Sequence, residues 1–155
     1  MYETTIKKIM NYDSKIKKEF LNVFARDELP SSIPKLPACF IFNTKNRSNP
    51  GQHWLAVYID KNNHAEFFDS YGYSPAKYRL KTYLKRIASS TSYNKQRIQG
   101  QSDFCGLYSI LYLLFKSYKQ ENKFFTKFNN NYNENDKKIL FYIKTVLDNI
   151  KNKKN

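Results

Sequence analysis

The hydrophobic positions change their spacing several times along the chain, and each change predicts a new structural element. Residues 2–24 place apolar side chains at roughly helical intervals with Lys and Glu between them, which predicts an N-terminal helical region within residues 1–27. Three of the five prolines then fall within residues 29–37, where proline favours extended backbone. The chain is therefore predicted to leave its helical start through an extended connection.

Three short segments that follow have the composition of strands. Residues 39–42 form a continuous apolar run, which suits a strand that is covered on both faces. Residues 53–60 are rich in β-branched and aromatic side chains and end at the turn signal 61–63. Residues 65–69 can pair with that strand across the turn as an antiparallel hairpin, so we expect a small sheet.

Helical patterns dominate the next part of the chain. Ser74 and Pro75 suit the N-cap and the first position of a basic helix that runs to about residue 87. A polar break is predicted over residues 89–94, and a short strand over residues 95–99.

The last third of the chain is predicted to hold two helices. Residues 105–119 are apolar nearly all round, which predicts a buried central helix that Ser102 or Asp103 caps. An Asn-rich loop over residues 129–135 precedes an amphipathic helix to about residue 150, and residues 151–155 are predicted to be a basic tail. Without an internal repeat or a linker-like stretch, the 155 residues are predicted to form one α+β domain over residues 1–155.

Composition narrows the class of protein. Aromatic residues make up 17% of the chain, which argues against disorder despite a mean hydropathy of −0.73. The longest apolar run, residues 110–115, is far shorter than the about 20 residues of a membrane span, and the first residues do not resemble a signal peptide. Cys39 and Cys105 are too few for a disulfide scaffold. We therefore expect no membrane contact and a reducing compartment.

Four residues stand in the order that nucleophilic catalysis by cysteine requires. His53 opens a predicted strand, Asp69 closes the next one, and Gln99 precedes Cys105 at the start of the buried helix. A helix N-terminus favours a thiolate, because the helix dipole places partial positive charge there. His53 and Asp69 would face one another across the hairpin. Asp69 would then orient the imidazole while His53 takes and returns a proton.

Gln99 and Gly106 complete the predicted site. The Gln99 amide and the Cys105 backbone N–H would form a two-donor oxyanion hole, and Gly106 leaves room for a substrate carbonyl. Taken singly, each residue has an ordinary structural explanation, such as a buried cysteine or a turn aspartate. Their joint order predicts catalysis. No metal site is predicted, because His53 and His64 are the only histidines, and we expect His64 to be exposed and idle.

The sequence around these residues resembles the adenovirus maturation protease (adenain) family and, more distantly, the SUMO-deconjugating cysteine proteases of the same clan. The resemblance runs over residues 36–115. It is carried by residues 38–44 (ACFIFNT), 51–54 (GQHW), 67–74 (FFDSYGYS) and 99–108 (QGQSDFCGLY). The resemblance implies a papain-like α+β fold, in which a small mixed sheet packs on a central helix that bears the nucleophile, with flanking helices.

The same resemblance implies the roles of particular residues. It makes His53, Asp69 and Cys105 the triad and Gln99 the oxyanion donor. It also implies that substrate contacts Gly51, Trp54 and Gly106, and that a small residue, above all glycine, precedes the scissile bond.

The chain also departs from the adenoviral pattern. Asp69 stands where many adenoviral members have Glu, and the spacing from Gln99 to Cys105 matches the SUMO proteases instead. The adenoviral enzyme is stimulated by a peptide that bonds through a cysteine before the glutamine, and residues 89–99 contain no cysteine here. We therefore expect no disulfide-linked peptide activator.

Three function classes remain open. The favoured one is a viral maturation protease that cleaves capsid or core precursor proteins. The alternative is a protease that removes SUMO or another ubiquitin-like modifier, which Asp69 and the Gln99–Cys105 spacing favour. The third is a non-enzymatic DNA-binding module, which the charge favours but which leaves the order of the four residues unexplained.

The charge also sets the expected partners. The formal net charge is +14, and basic residues concentrate in residues 77–86, 95–97 and the tail. Two interpretations stay open: a solvated surface in a Lys-rich chain, or sequence-independent contact with DNA that could stimulate the enzyme. The resemblance implies the second, because DNA concentrates enzyme and substrate on the packaged genome in the adenoviral relatives. No other cofactor is expected. We expect a monomer that acts on precursor proteins in the virion and in the host-cell compartment where the virus assembles.

Overall fold

The computed structural model describes residues 3–50 and 52–153. Within these residues the helices are α1 (Glu3–Met10), α2 (Ile16–Glu19), α3 (Lys81–Ile87), α4 (Cys105–Ser117), α5 (Glu121–Thr126) and α6 (Tyr132–Asn152). The strands are β1 (Phe20–Phe24), β2 (Ala38–Asn43), β3 (Trp54–Ile59), β4 (His64–Phe68) and β5 (Ser90–Tyr93). Short 3-10 helices cover Arg26–Glu28 and Pro75–Tyr78.

The five strands form one mixed sheet in the order β1-β2-β3-β4-β5. The three middle strands are antiparallel neighbours, whereas β1 lies parallel to β2 and β5 lies parallel to β4. The predicted hairpin of β3 and β4 is therefore confirmed, and it lies at the centre of a wider sheet.

The sheet is buried on both faces because alternate side chains of its strands enter two separate cores. On one face Cys39 and Ile41 pack with side chains of α1, α4 and α6. On the other face Phe40 and Phe42 pack with the apolar side of α3. This arrangement explains the continuous apolar run of β2, and it confirms the α+β prediction of a mixed sheet on a central helix.

Helix α4 is the predicted central helix, and most of its residues are buried. Its predicted cap is wrong, however. The N-cap residue is Phe104, and no side chain caps the helix. Ser102 Oγ instead accepts the N–H of Phe104 itself at 3.4 Å, whereas a cap would accept the N–H of Gly106 or Leu107. The first N–H groups of α4 are therefore not satisfied by a capping side chain.

The predicted helical region within residues 1–27 is wrong over Phe20–Phe24, which forms the edge strand β1. Asp13 Oδ1 accepts the N–H groups of Lys15 and Ile16, each at 2.9 Å, in a local turn that separates α1 from α2. Phe20–Phe24 has apolar residues at helical spacing, but it forms a strand because it pairs with β2.

The basic helix predicted from Ser74 is divided. The 3-10 helix Pro75–Tyr78 ends at Arg79, which has left-handed backbone (φ 57°), and α3 begins afresh at Lys81. Ser74 provides no side-chain cap. The division lets Tyr78 reach the end of β4, while Leu84 on α3 enters the second core.

The fifth strand lies at Ser90–Tyr93, where a polar break was predicted, and not over residues 95–99. Its polar side chains suit an exposed edge strand, and parallel pairing with β4 holds it there. His64 is half-buried where an exposed residue was predicted, and its two ring nitrogens lie 2.7 Å from Ser90 Oγ and from Ser92 Oγ. Helix α5 was not predicted.

Candidate active site

The register of the β3–β4 hairpin brings His53 and Asp69 together. Ala56 pairs with Phe68, so continued antiparallel pairing places Asp69 opposite Leu55. His53 directly precedes β3 and lies two residues before Leu55, so extended backbone directs both side chains to the same face of the sheet. His53 Nε2 and Asp69 Oδ1 are 2.8 Å apart, which is a direct hydrogen bond.

The Asp69 carboxylate is fully buried, and both of its oxygens accept hydrogen bonds. Oδ1 accepts from the backbone N–H of Tyr71 at 2.9 Å as well as bonding to His53. Oδ2 accepts from Tyr78 Oη at 2.5 Å. These donors offset the cost of burying the charge, and they leave the carboxylate little freedom to rotate.

A tight turn after Asp69 depends on glycine. The Gly72 N–H donates to the Asp69 carbonyl oxygen at 2.8 Å, and Gly72 has a φ of +75°. A Cβ atom at this position would lie 2.9 Å from the backbone nitrogen of Arg97. Both the backbone conformation and the close approach therefore require glycine.

The environment of His53 favours the imidazolium. Burial opposes the charge, but hydrogen bonds and charge interactions with Asp69 and Cys105 outweigh burial and raise the pKa of His53 from 6.5 to about 9. Because Nε2 is bonded to Asp69, the ring nitrogen left for Cys105 is Nδ1. The Tyr71 ring stacks on the imidazole with 5.0 Å between ring centroids. His53 is therefore held in one orientation and carries a proton at neutral pH.

Cys105 is the first residue of α4 and is 6% exposed. Its Sγ accepts the backbone N–H of Trp54 at 3.4 Å, so the strand that follows His53 also contacts the sulfur. The thirteen-residue helix directs its positive end at this position. The His53 imidazole, the Trp54 N–H and the N-terminus of α4 therefore all lie beside Sγ, an arrangement that suits a nucleophile.

The side chain of Gln99 is fixed in one orientation. Its Oε1 accepts from Ser70 Oγ at 2.5 Å, and its Nε2 donates to the Ser102 carbonyl oxygen at 2.8 Å. A carbonyl oxygen can only accept, so the amide nitrogen must lie on the Ser102 side. Nε2 also has a longer contact of 3.4 Å with Ser102 Oγ, and Gln99 and Cys105 both line the same cavity.

An open groove of about 930 Å³ runs past the sulfur. Cys105, His53, Gln99 and Trp54 line it, and the large side chains of Tyr71 and Tyr73 form further parts of its wall. Aromatic rings and the candidate nucleophile therefore line one open cavity.

The predicted site residues fall into three groups. His53, Asp69 and Cys105 are in contact, and Gln99 and Trp54 line the same groove. Gly106 is buried in the first turn of α4 beside Cys105, and its contact with substrate stays a prediction. Gly51 lies outside the described residues.

Sequence reasoning missed two residues that hold this site. Tyr78 lies within the predicted basic helix and received no role in the site, and Ser70 received none although it directly follows Asp69. Their hydroxyls bond Asp69 and Gln99, respectively. The position of Ser70 next to the acid was an available signal, whereas nothing in the local sequence marks Tyr78.

Two further searches concern the described residues alone. Among residues 3–50 and 52–153, no group of three or more His, Cys, Asp or Glu side chains could hold a metal ion. No helix within those ranges is long and apolar enough to cross a membrane.

Comparison with known sequences identifies relatives of this chain. The model of a family described as adenovirus endoprotease matches residues 20–135, which is most of the chain. A thiol protease candidate of Acanthamoeba polyphaga mimivirus is 32% identical over 84 residues, which cover 48% of this chain and 28% of the mimiviral protein. The chain therefore spans less than a third of the length of this relative.

Comparison with solved structures agrees on the fold. A SUMO protease whose catalytic cysteine is oxidised to a sulfinic acid has a TM-score of 0.53 at 17% identity, over 97% of this chain and 78% of its own. The central domain of a Legionella pneumophila protein has a TM-score of 0.53 at 16% identity, over 94% and 98%. At such identities the likeness concerns the fold alone. By the match over residues 20–135, which confirms the resemblance seen in the sequence, the chain belongs to the adenovirus endoprotease family of cysteine proteases.

Proposed function

We propose that this protein is a viral maturation protease, a cysteine endopeptidase that cleaves capsid or core precursor proteins at glycine-containing sites. The observation that carries the proposal is the chain of contacts from buried Asp69 through His53 to Cys105 at the wall of an open groove. Membership of the endoprotease family supports the reaction class.

The first step of the proposed reaction is attack by the Cys105 thiolate on the carbonyl carbon of the scissile peptide bond. The S–C bond forms while the π electrons of the carbonyl move to oxygen. The Cys105 backbone N–H and Gln99 Nε2, which exchanges its long contact with Ser102 Oγ for the substrate oxygen, stabilise this oxyanion. The intermediate then collapses, the C–N bond breaks, and His53 gives its proton to the departing amine.

The second step is hydrolysis of the thioester. His53, now neutral, removes a proton from water, and the resulting hydroxide attacks the acyl carbon. Collapse of the second oxyanion breaks the C–S bond and regenerates the thiolate beside the imidazolium. Asp69 holds the imidazole in place throughout. The hydrogen bond from Tyr78 keeps the carboxylate of Asp69 from rotating away from His53.

The proposed preference for glycine has a steric basis. Trp54 and Tyr71 line the groove close to Cys105, so a residue without a side chain fits where a larger one would collide with an aromatic wall. The resemblance to the adenoviral proteases points the same way.

DNA is proposed as a stimulating partner. Lys81, Lys85 and Arg86 lie on the exposed side of α3, and Lys95 and Arg97 lie exposed nearby in the sequence. Contacts of this kind are sequence-independent and weaken steeply with salt. We propose that the protein acts as a monomer in the assembling virion, without a disulfide-linked peptide activator.

Cleavage of a proteome-derived peptide library, read by mass spectrometry with and without DNA, tests the proposal. We expect the wild-type protein to produce cleavages with glycine just before the scissile bond and Cys105→Ala to produce none. Cys39→Ala is the matched control, because Cys39 is fully buried in β2, away from the groove, and this variant should stay active. A wild-type protein that cleaves nothing under either condition would refute the proposal.

A second candidate is removal of SUMO or another ubiquitin-like modifier. The fold likeness to a SUMO protease, the use of Asp69 and the spacing from Gln99 to Cys105 favour it. Aminomethylcoumarin amides of folded SUMO and of ubiquitin distinguish the two functions. Rapid release from a folded modifier, alongside weak cleavage of peptides, would favour deconjugation.

A further inference from the structure

The backbone around Gln99 is held by the C-terminal helix α6. Asn135 Nδ2 donates to the Ile98 carbonyl oxygen at 2.9 Å, and the Gly100 N–H donates to Asp136 Oδ1 at 3.1 Å. The backbone groups on both sides of Gln99 are therefore bonded to two adjacent residues near the start of α6.

Asp136 also reaches the helix that carries the nucleophile. Tyr108 Oη donates to the same Asp136 Oδ1 at 2.8 Å. Tyr108 is fully buried and lies three residues after Cys105 in α4, and Asp136 is 8% exposed. Because water is largely excluded, both hydrogen bonds to this carboxylate are strong. One oxygen atom thus connects the Gln99 segment to the first turn of α4.

The contact between Gly100 and α6 is too close for any side chain. A Cβ atom at Gly100 would lie 2.6 Å from Asp136 Oδ2 and 3.1 Å from the Tyr132 carbonyl oxygen. The glycine after Gln99 therefore lets α6 approach the segment closely enough for Asp136 to accept its N–H.

We propose that Asp136, assisted by Asn135, is a positioning residue that sets the spacing between the two oxyanion donors, the Gln99 amide and the Cys105 N–H. The inference rests on the proposed function, because the donors matter only if an oxyanion forms. Oxyanion donors act over a narrow range of distance, and a misplacement of about 1 Å can lower a rate about 100-fold. A carboxylate that touches neither substrate nor sulfur would in this way control the chemical step.

Three variants separate this role from general stability. Asp136→Ala removes both hydrogen bonds, whereas Asp136→Asn keeps an acceptor oxygen for Gly100 and Tyr108. Asp148→Ala removes the same charge from an exposed position of α6 and is the matched control. Thermal melting of each variant establishes the temperature at which all of them are folded.

The main readout is hydrolysis of a peptide that ends in Gly-Gly-aminomethylcoumarin. We expect Asp136→Ala to lower kcat about 10- to 100-fold while KM changes less than about threefold, because the lost interaction concerns the transition state. Asp136→Asn should recover most of kcat, and Asp148→Ala should match the wild type. In a Gln99→Ala background, Asp136→Ala should cost at most a few-fold more, because the first donor is already absent.

Alkylation of Cys105 by iodoacetamide provides a readout that needs no oxyanion. This displacement of iodide develops no charge on a carbonyl oxygen, so Asp136→Ala should alkylate at the wild-type rate. A kcat unchanged in Asp136→Ala, full additivity with Gln99→Ala, or equally slowed alkylation would each overturn the positioning role. A wild-type protein that is alkylated at Cys105 but hydrolyses no peptide would overturn the proposed function, and the inference with it.

Discussion

The candidate triad can be tested quantitatively by measuring the pKa of His53 in the wild-type protein and in Cys105→Ala. Cys105→Ala removes the hydrogen bond and the charge of the sulfur, which are two of the interactions that bring the pKa of His53 to about 9. The bond to Asp69 and the burial of the ring remain. We therefore expect the pKa of His53 to fall in the variant, toward 6.5.

The shift also has a consequence for stability. A rise from 6.5 to about 9 corresponds to about 3 kcal/mol in favour of the folded protein while His53 is protonated in both states. Because the folded pKa is the higher one, this contribution is fully present below pH 6.5 and is lost as the pH rises through 9. The free energy of unfolding, measured in urea at pH 6 and at pH 9.5, gives the stability that is lost over this range. The same two measurements on His53→Gln give the part that comes from other groups, and subtracting it leaves the contribution of His53.

Imidazole signals in an NMR titration give the pKa itself, and His64→Gln assigns the two histidines. Cleavage measured across the same pH range should decline above about pH 9, because the departing amine then lacks its proton donor. A wild-type pKa near 6.5, or one that Cys105→Ala leaves unchanged, would refute the argument that contact with Cys105 raises the pKa of His53.

Three further predictions concern the residues around the triad. Tyr78→Phe should lower the free energy of unfolding, measured in urea, by about 1–3 kcal/mol, because a buried oxygen of Asp69 loses its hydrogen-bond donor. An unchanged free energy would mean that water replaces the hydroxyl. Gly100→Ala should destabilise the fold by about 1–3 kcal/mol in thermal melts, because its Cβ atom would lie 2.6 Å from Asp136 Oδ2. A melting temperature equal to that of the wild type would show that α6 can move aside without loss of stability. Gln99→Ala should lower kcat about 10²- to 10³-fold if the amide is an oxyanion donor, and full activity would discredit that role.

Much of the site was predictable from the sequence because its determinants are local. His53 precedes a strand whose composition identifies it, and Cys105 starts a helix whose apolar character is unmistakable. The short turn between β3 and β4 makes antiparallel pairing nearly inevitable, and pairing carries Asp69 to the imidazole. Where neighbours in sequence set the geometry, the pattern of residues was sufficient.

Tertiary structure decided the remainder, because the relevant partners are distant along the chain. Phe20–Phe24 has helical spacing but becomes a strand, since β2 offers an unpaired edge. In the sequence, Asp136 is one of several polar residues of a predicted amphipathic helix. In the structure it accepts hydrogen bonds from Gly100 and Tyr108, which lie 36 and 28 residues away. Local propensity carries no information about such contacts. They arise only when packing of the apolar faces brings α6 against α4 and the Gln99 segment, and buried polar groups then have to find each other as partners.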